Sequence, residues 1–317
     1  MARAVKRAIR ILRLPFAWFG IVLGLAVLSN LTRKGLLRVC DFLSAVMYAL
    51  DRRGRTLARA NLKVMFPERT LPEKAVRLIV RRSYRNMART VGHAFWTCRN
   101  AVRRVRSAGE MAPDVKAFLA AHRPAVTVSG HIGCWEILSQ LAFLEGHEMM
   151  SVAKNIGTSG MTKLLMAARR SIGQEIVSAD GAFKPLMAGI KAGKSLGLLV
   201  DQAVRPADGG MWVRFFGRPH PVSAAPAFFA ARCAVPVIVA WSRPLRDGRY
   251  RCEFVSAFSA ADAADTWRTT QRCLAALERV IRRHPSCWVL NYNCFRKHPK
   301  PEELRQLEER ERENGSD

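Results

Sequence analysis

The sequence predicts an α/β fold: a mostly parallel central sheet flanked by helices, with an N-terminal membrane-associated helical region. Three observations carry this. From about Pro124 onward, short apolar runs alternate with helix-length stretches, the pattern of strands covered on both faces and joined by crossover helices. Between residue 33 and about residue 105, apolar residues recur at three- and four-residue spacing, which is helical periodicity. Residues 14–32 carry no charged side chain and are bracketed by basic clusters.

In chain order, "MARAVKRAIRILR" is basic with spaced apolar residues, and Arg33-Lys34 closes the uncharged run. That run is at the lower edge of the length a spanning helix needs. No small-x-small cleavage site is followed by an acidic or neutral start, so a signal peptide fits poorly. Two membrane readings stand, a spanning or re-entrant anchor or a helix lying in the cytoplasmic interface with its basic residues on anionic lipid, with a buried core helix as the alternative. Residues 1–32 are therefore expected to be a membrane anchor, 33–105 a helical region, 106–298 the α/β domain and 299–317 a charged tail.

Three helices are expected in the second region: "LLRVCDFLSAVMYAL", "RTLARANLKVMF" ending at Pro67, and "LPEKAVRLIVRRSYRNMARTVGHAFW" with Pro72 and Glu73 in its first turn. The expected strands are "AVTVSG", "MMSVAK", "EIVSA", "SLGLLVD", "VPVIVAWS", "YRCEFVS" and "CWVLNY". Between them lie the helix-like stretches "CWEILSQLAFLEG", "MTKLLMAARRSIG", "FKPLMAGIKAG", "APAFFAARCA" and "TWRTTQRCLAALERVIRRH". The tail reads as an exposed helix.

Composition narrows the partners. With 52 basic and 25 acidic residues the chain carries a net +27, a surface that attracts polyanions: nucleic acid, anionic head groups, phosphorylated substrates or an acidic carrier protein. No nucleic-acid-binding motif occurs, and Arg and Lys are spread around apolar helices rather than among stacking aromatics. A membrane-tethered nucleic-acid binder is the competing class, and no nucleic-acid partner is expected. None of the eight cysteines forms a C-x-x-C pair, so buried free thiols in a reducing compartment are expected. Zinc spacings, a P-loop and a dinucleotide glycine pattern are absent; neither metal nor cofactor is expected.

The candidate chemistry lies in "VTVSGHIGCWEILSQ", where His131 follows a strand end and Glu136 follows inside a helix-like run. Five residues along a helix rotate a side chain by roughly 140° net, so the two meet only if His131 lies on the turn before the helix. Gly130 and Gly133 permit that turn. A carboxylate accepting from one imidazole nitrogen leaves the other as a base. Asp201-Gln202 ends the strongest strand and falls on the same rim as His131 if the sheet is parallel, so both are candidate substrate contacts. Arg169 and Arg170 follow an apolar helix face and are candidates for contact with an anion. His220, between two prolines with no nearby carboxylate, reads as structural.

"HIGCWE" resembles the His-x4-Glu signature of the bacterial lipid A biosynthesis acyltransferases, the late (secondary) enzymes of lauroyl/myristoyl type within the lysophospholipid acyltransferase superfamily. Further blocks follow the family's order. "RANLKVMFPE" resembles its Arg-x-Asn-Leu and Phe-Pro; "LLVDQAVRPADGGMWVRFFGRP" resembles its Asp-Gln, glycine and Phe-Phe-Gly-x-Pro; "ALERVIRRHPSCW" resembles its closing Glu-x-x-Ile-Arg-x-x-Pro-x-x-Trp. The resemblance implies acyl transfer from an acyl thioester, usually on acyl-carrier protein, to a hydroxyl of an anionic membrane glycolipid at the cytoplasmic side of the inner membrane. It implies His131 as base, Glu136 as the group that orients it, and Phe216, Gly217 and Arg218 as substrate-loop residues, with no covalent acyl-enzyme. Cys134 reads as helix packing. One departure stands out: where the family often carries a His-Arg-Arg-Trp run, this chain has Asn291-Tyr292-Asn293. Related enzymes acylate lysophospholipids, amino-acid lipids and phosphoinositide mannosides.

Overall fold

The computed structural model describes residue 20, residues 22–153 and residues 174–314. Most of the expected anchor and the expected helix "MTKLLMAARRSIG" lie outside them. Among the described residues no helix is long and apolar enough to cross a membrane.

Three helices open the domain: α1 (Arg33–Leu50), α2 (Arg52–Met65) and α3 (Glu73–Trp96). Their starts are chemically marked. The Thr32 hydroxyl accepts from the Gly35 amide at 3.2 Å, and the Asp51 carboxylate accepts from the Gly54 amide at 2.7 Å. Three elements that the expected helices and strands do not include follow: α4 (Ala101–Ala108), the short β1 (Gly109–Met111) and α5 (Pro113–Ala121).

The α/β part contains β2 (Val126–Ser129), α6 (Trp135–Leu144), β3 (Met149–Ala153), β4 (Glu175–Ser178), α7 (Phe183–Lys191) and β5 (Ser195–Leu199). After β5 come the hairpin β6 (Gly210–Phe215) and β7 (Arg218–Ser223), then α8 (Ala225–Cys233), β8 (Val237–Pro244), β9 (Tyr250–Phe258), α9 (Thr266–Arg283) and α10 (Pro301–Asn314). The seven-stranded sheet runs β1-β9-β8-β2-β5-β3-β4. Its pairs are parallel except β8 with β9.

Strand alternation divides the core between the two faces of the sheet. Val237 and Val239 of β8 join one apolar cluster with α2, α7, α8 and α9; Ile238 and Ala240 join the other with α1, α4, α5 and α6. All four residues of β2 are buried, as expected for a central parallel strand.

One expectation is corrected. "CWVLNY" is not a strand: Pro285–Cys287 form a 3-10 turn, and Trp288 makes only an isolated bridge to Ile132. The tail is the mostly exposed helix expected, and it is tethered to the domain. In α10, Leu307 is buried, and Glu311 pairs with Arg214 of β6 through two hydrogen bonds of 2.8 and 3.0 Å.

Candidate active site

Adjacent parallel strands β2 and β5 end together, with Ser129 opposite Leu199. The residues two further along, His131 and Asp201, therefore leave the sheet side by side at its carboxyl rim, where α/β folds place ligands. His131 Nδ1 lies 2.8 Å from Asp201 Oδ1, and the His131 amide donates to Oδ2 at 2.8 Å. Trp288 Nε1 donates to the same Oδ2, also at 2.8 Å. Three N–H groups thus converge on one carboxylate. The Asp201 side chain is 2% exposed and that of His131 22%, so the ring is reachable while its partner is sealed. His131 Nε2 points away from Asp201, with the Gln202 amide nitrogen 3.4 Å away. The Trp135 ring stands against the imidazole at 5.0 Å between centroids.

The turn that carries His131 is held at nearly every backbone group. The His131 carbonyl accepts from the Val289 amide at 3.0 Å, and the Gly133 amide donates to the Cys287 carbonyl at 2.9 Å. The Gly133 carbonyl accepts from Asn86 Nδ2 (3.1 Å) and Thr90 Oγ1 (3.0 Å) of α3, and the Cys134 amide donates to Ser242 Oγ at 2.8 Å. Gly133 has φ +63°, and a Cβ there would sit 1.8 Å from the Ser242 carbonyl oxygen, so the bend is closed to any other residue without displacement of β8. Gly133→Ala should destabilise the protein by on the order of 3 kcal/mol, read as a lower midpoint in urea unfolding; an unchanged midpoint would contradict this reading of the turn.

Several of the quoted sequence blocks converge behind this turn. Asn61 of "RANLKVMFPE" donates to the carbonyls of Leu290 and Tyr292 at 2.8 Å each, and Asn86 donates to Cys287 at 2.9 Å. The Ser83 hydroxyl reaches the Trp288 carbonyl. Helices α2 and α3 thus clamp residues 287–292, which in turn position Asp201 through Trp288.

Burial works against charge on His131, but the Asp201 charge and hydrogen bond, and after them the Glu136 charge, outweigh it; the ring is held above its ordinary value of 6.5. Burial pushes the Asp201 carboxyl up, yet the His131 ring, Trp288 and the His131 amide hold it below the usual carboxylate range. With Asp201 ionised, neutral His131 carries its proton on Nδ1 and presents the Nε2 lone pair outward. Such a pair can take a proton from a group arriving at Nε2.

Glu136 lies in the first turn of α6 and is buried. Its charge favours the protonated ring, but the orienting bond expected of it is made by Asp201. Nδ1 offers a single N–H, and the register of β2 with β5 brings Asp201 to it before α6 begins. Asp201, read from sequence as a substrate contact, is the orienting carboxylate, with Gln202 beside the outward nitrogen. The structure does not bring the hairpin residues to this cluster. Phe216 and Gly217 form the two-residue turn between β6 and β7, with φ +52° and +72°. Phe216 is buried with its ring 5.8 Å from that of Trp288, while Gly217 and Arg218 are exposed. Arg169 and Arg170 lie outside the described residues. His220 is fully buried, its ring packed 5.5 Å from Phe215, and burial lowers its pKa to about 4, which suits a structural role.

Cys134, three residues from His131, is buried and pushed up to about 12, chiefly by burial, far from a reactive thiolate. All eight cysteines are unpaired. Among the described residues no cluster of His, Cys, Asp and Glu is arranged to hold a metal ion.

Trp288, Ser83, Asn86, Thr90 and Ser242 were not singled out from the sequence. Trp288 carried a signal, since it closes the quoted block "ALERVIRRHPSCW". The α3 residues carried another: Ser83, Asn86, Thr90, His93 and Thr97 recur at three- and four-residue spacing, a polar stripe with one helix face to itself.

Residues 3–297 match the family model described as "Bacterial lipid A biosynthesis acyltransferase". No curated protein matches the chain.

Proposed function

This chain belongs to the bacterial lipid A biosynthesis acyltransferase family and is an acyltransferase, and from that premise we propose that it moves a fatty acyl chain from an acyl thioester on acyl-carrier protein to a hydroxyl of an anionic membrane glycolipid of the lipid A precursor type. The observation that carries the reading is the outward Nε2 of His131, fixed by Asp201 at 2.8 Å on the opposite nitrogen. Nε2 takes the proton of the acceptor hydroxyl as its oxygen attacks the thioester carbonyl. The C–O ester bond forms, the C–S bond breaks, and the proton passes from His131 to the departing thiolate. Asp201 stays ionised and stabilises the imidazolium; the Glu136 charge adds to that stabilisation.

The surplus of 52 basic over 25 acidic residues supports both partners, since a phosphorylated glycolipid and an acidic carrier protein are anionic. Arg169, Arg170, Gln202 and Arg218 are the proposed polar contacts to them. The unpaired cysteines support a domain on the cytoplasmic side of the inner membrane. A second acceptor class, a lysophospholipid, amino-acid lipid or phosphoinositide mannoside, is favoured by Asn291-Tyr292-Asn293, which stands where the family often has His-Arg-Arg-Trp.

Purified enzyme given acyl-carrier-protein thioester and a lipid A precursor should yield an acceptor heavier by one acyl group in lipid mass spectrometry. Transfer only to one of the other lipids would move the assignment to that acceptor. With labelled thioester and no acceptor, the intact protein should keep its mass, because Cys134 is sealed and its pKa is raised to about 12. A stoichiometric adduct that chases into product would overturn direct transfer.

A further inference from the structure

The face of α1 turned away from the protein is apolar. Leu36, Cys40 and Ser44 are buried on one side, whereas Phe42, Val46 and Leu50 recur every four residues on the other, with Phe42 68% and Leu50 77% exposed. Leu43 and Met47 beside them are also exposed. A helix on the surface of a soluble domain ordinarily shows polar residues there, and a contiguous apolar patch of this kind marks a contact surface.

The charges around the patch identify what it meets. Lys34 and Arg38, exposed, precede Phe42 by eight and four residues and so share its face. Arg52 and Arg53, also exposed, follow directly after Leu50. The one acid within α1, Asp41, has its carboxylate held by Arg89 at 2.8 Å, and Asp51 after it is occupied by the Gly54 amide and the Tyr84 hydroxyl. The patch is therefore an apolar ridge with a cation pair at each end. Upstream, Val22, Leu23 and Val27 are exposed as well, while Leu28 and Leu31 pack into the core beneath.

We propose that the outer face of α1 docks on an anionic lipid bilayer, with Phe42, Val46 and Leu50 entering the acyl boundary and Lys34, Arg38, Arg52 and Arg53 meeting the head groups. The proposal rests on the reading of the chain as an enzyme of a membrane glycolipid. A second copy fits the face poorly, because it would set two pairs of cations against their equals. Residues 1–19 fit it poorly for the same reason: they carry Arg3, Lys6, Arg7, Arg10 and Arg13 and no acid. The docking has a consequence for the site. Helix α1 lies on α3 through the Arg89–Asp41 pair, and α3 holds the His131 turn through Asn86 and Thr90. The bilayer contact and the base are thus borne by one pair of helices.

Hydroxyl-radical footprinting of the full-length protein tests this. Oxidation of Phe42, Met47 and Leu50 should fall on adding phosphatidylglycerol-containing vesicles and should not fall with phosphatidylcholine alone. The triple variant Phe42→Ser, Val46→Ser, Leu50→Ser, whose sites are exposed, should lose at least about tenfold in partition to the anionic vesicles. It should keep its turnover on acceptor dissolved in detergent micelles. Equal oxidation with and without anionic vesicles would overturn the proposal. So would protection in lipid-free solution that grows with protein concentration, the mark of a second copy, or lipid-free protection lost on deleting residues 1–19. If the wild-type protein is protected yet transfers no acyl group to any lipid, the function falls and the docking stands; transfer without protection gives the converse.

Discussion

His131→Ala should lower kcat/KM for acyl transfer by at least about a hundredfold while leaving the fold intact. The loss follows from the base: a positioned imidazole contributes about 10² to 10⁴ in rate, and His220, whose Nε2 lies 3.3 Å from the Asp201 carbonyl oxygen, is fully buried and does not reach an incoming hydroxyl. The fold should survive because the backbone of residue 131 makes its own bonds. Its amide donates to Asp201 and its carbonyl accepts from Val289, and both remain in the alanine variant. Circular dichroism and a thermal melt should match the wild type. Near-normal turnover by a folded His131→Ala protein would remove the base from the mechanism.

Asp201→Asn should cost about 10² or more in kcat, and the geometry says why. Asp201 Oδ2 receives two donors, the His131 amide and Trp288 Nε1, whereas Oδ1 faces only His131 Nδ1. An asparagine keeps its oxygen where two donors converge and turns its NH₂ toward the ring. Nδ1 must then accept, the proton moves to Nε2, and the nitrogen that should take the acceptor's proton is already occupied. The variant keeps the two bonds to its oxygen and remakes the third with its direction reversed, and should fold. Asp201→Ala instead leaves three buried donors without a partner, at about 1–3 kcal/mol each, and should be hard to obtain folded. If Asp201→Asn turns over like the wild type, Asp201 does not set the tautomer. Glu136→Gln, which keeps size and removes a charge that ranks after those of Asp201 in favouring the protonated ring, should impair less.

Much of the site was legible because its parts are local. The apolar run of β2, the glycines around His131 and the apolar run of β5 ending at Asp201 all announce themselves over a few residues. That Asp201 rather than Glu136 takes Nδ1 was not legible. It depends on strand order: β5 lies beside β2 although β3 and β4 come between them in the chain, and no periodicity encodes that neighbour. The clamp on the turn was hidden for a different reason. Part of the buried face of α3 is polar, with Ser83, Asn86 and Thr90 spent on backbone groups, and a hydrophobic pattern does not mark such residues as buried. The β6–β7 hairpin escaped because Phe216 occupies a left-handed position that turn rules reserve for glycine and asparagine; burial against Trp288 stabilises it there. "CWVLNY" has the composition of a strand, but its carbonyls are taken by Asn61, Ser83 and Asn86 instead of a ladder.

The pH dependence of kcat/KM, measured side by side for the wild type and Asp201→Asn, tests the central claim most directly. Asp201 raises the His131 pKa above 6.5, and the base acts only when neutral. Wild-type activity should therefore be full at alkaline pH and fall as pH drops through a midpoint above 6.5. In Asp201→Asn the charge that offsets burial is gone, so the residual activity should fall at a lower pH than in the wild type. A wild-type profile flat across this range, or a midpoint unmoved by the substitution, would contradict a His131 base held by Asp201.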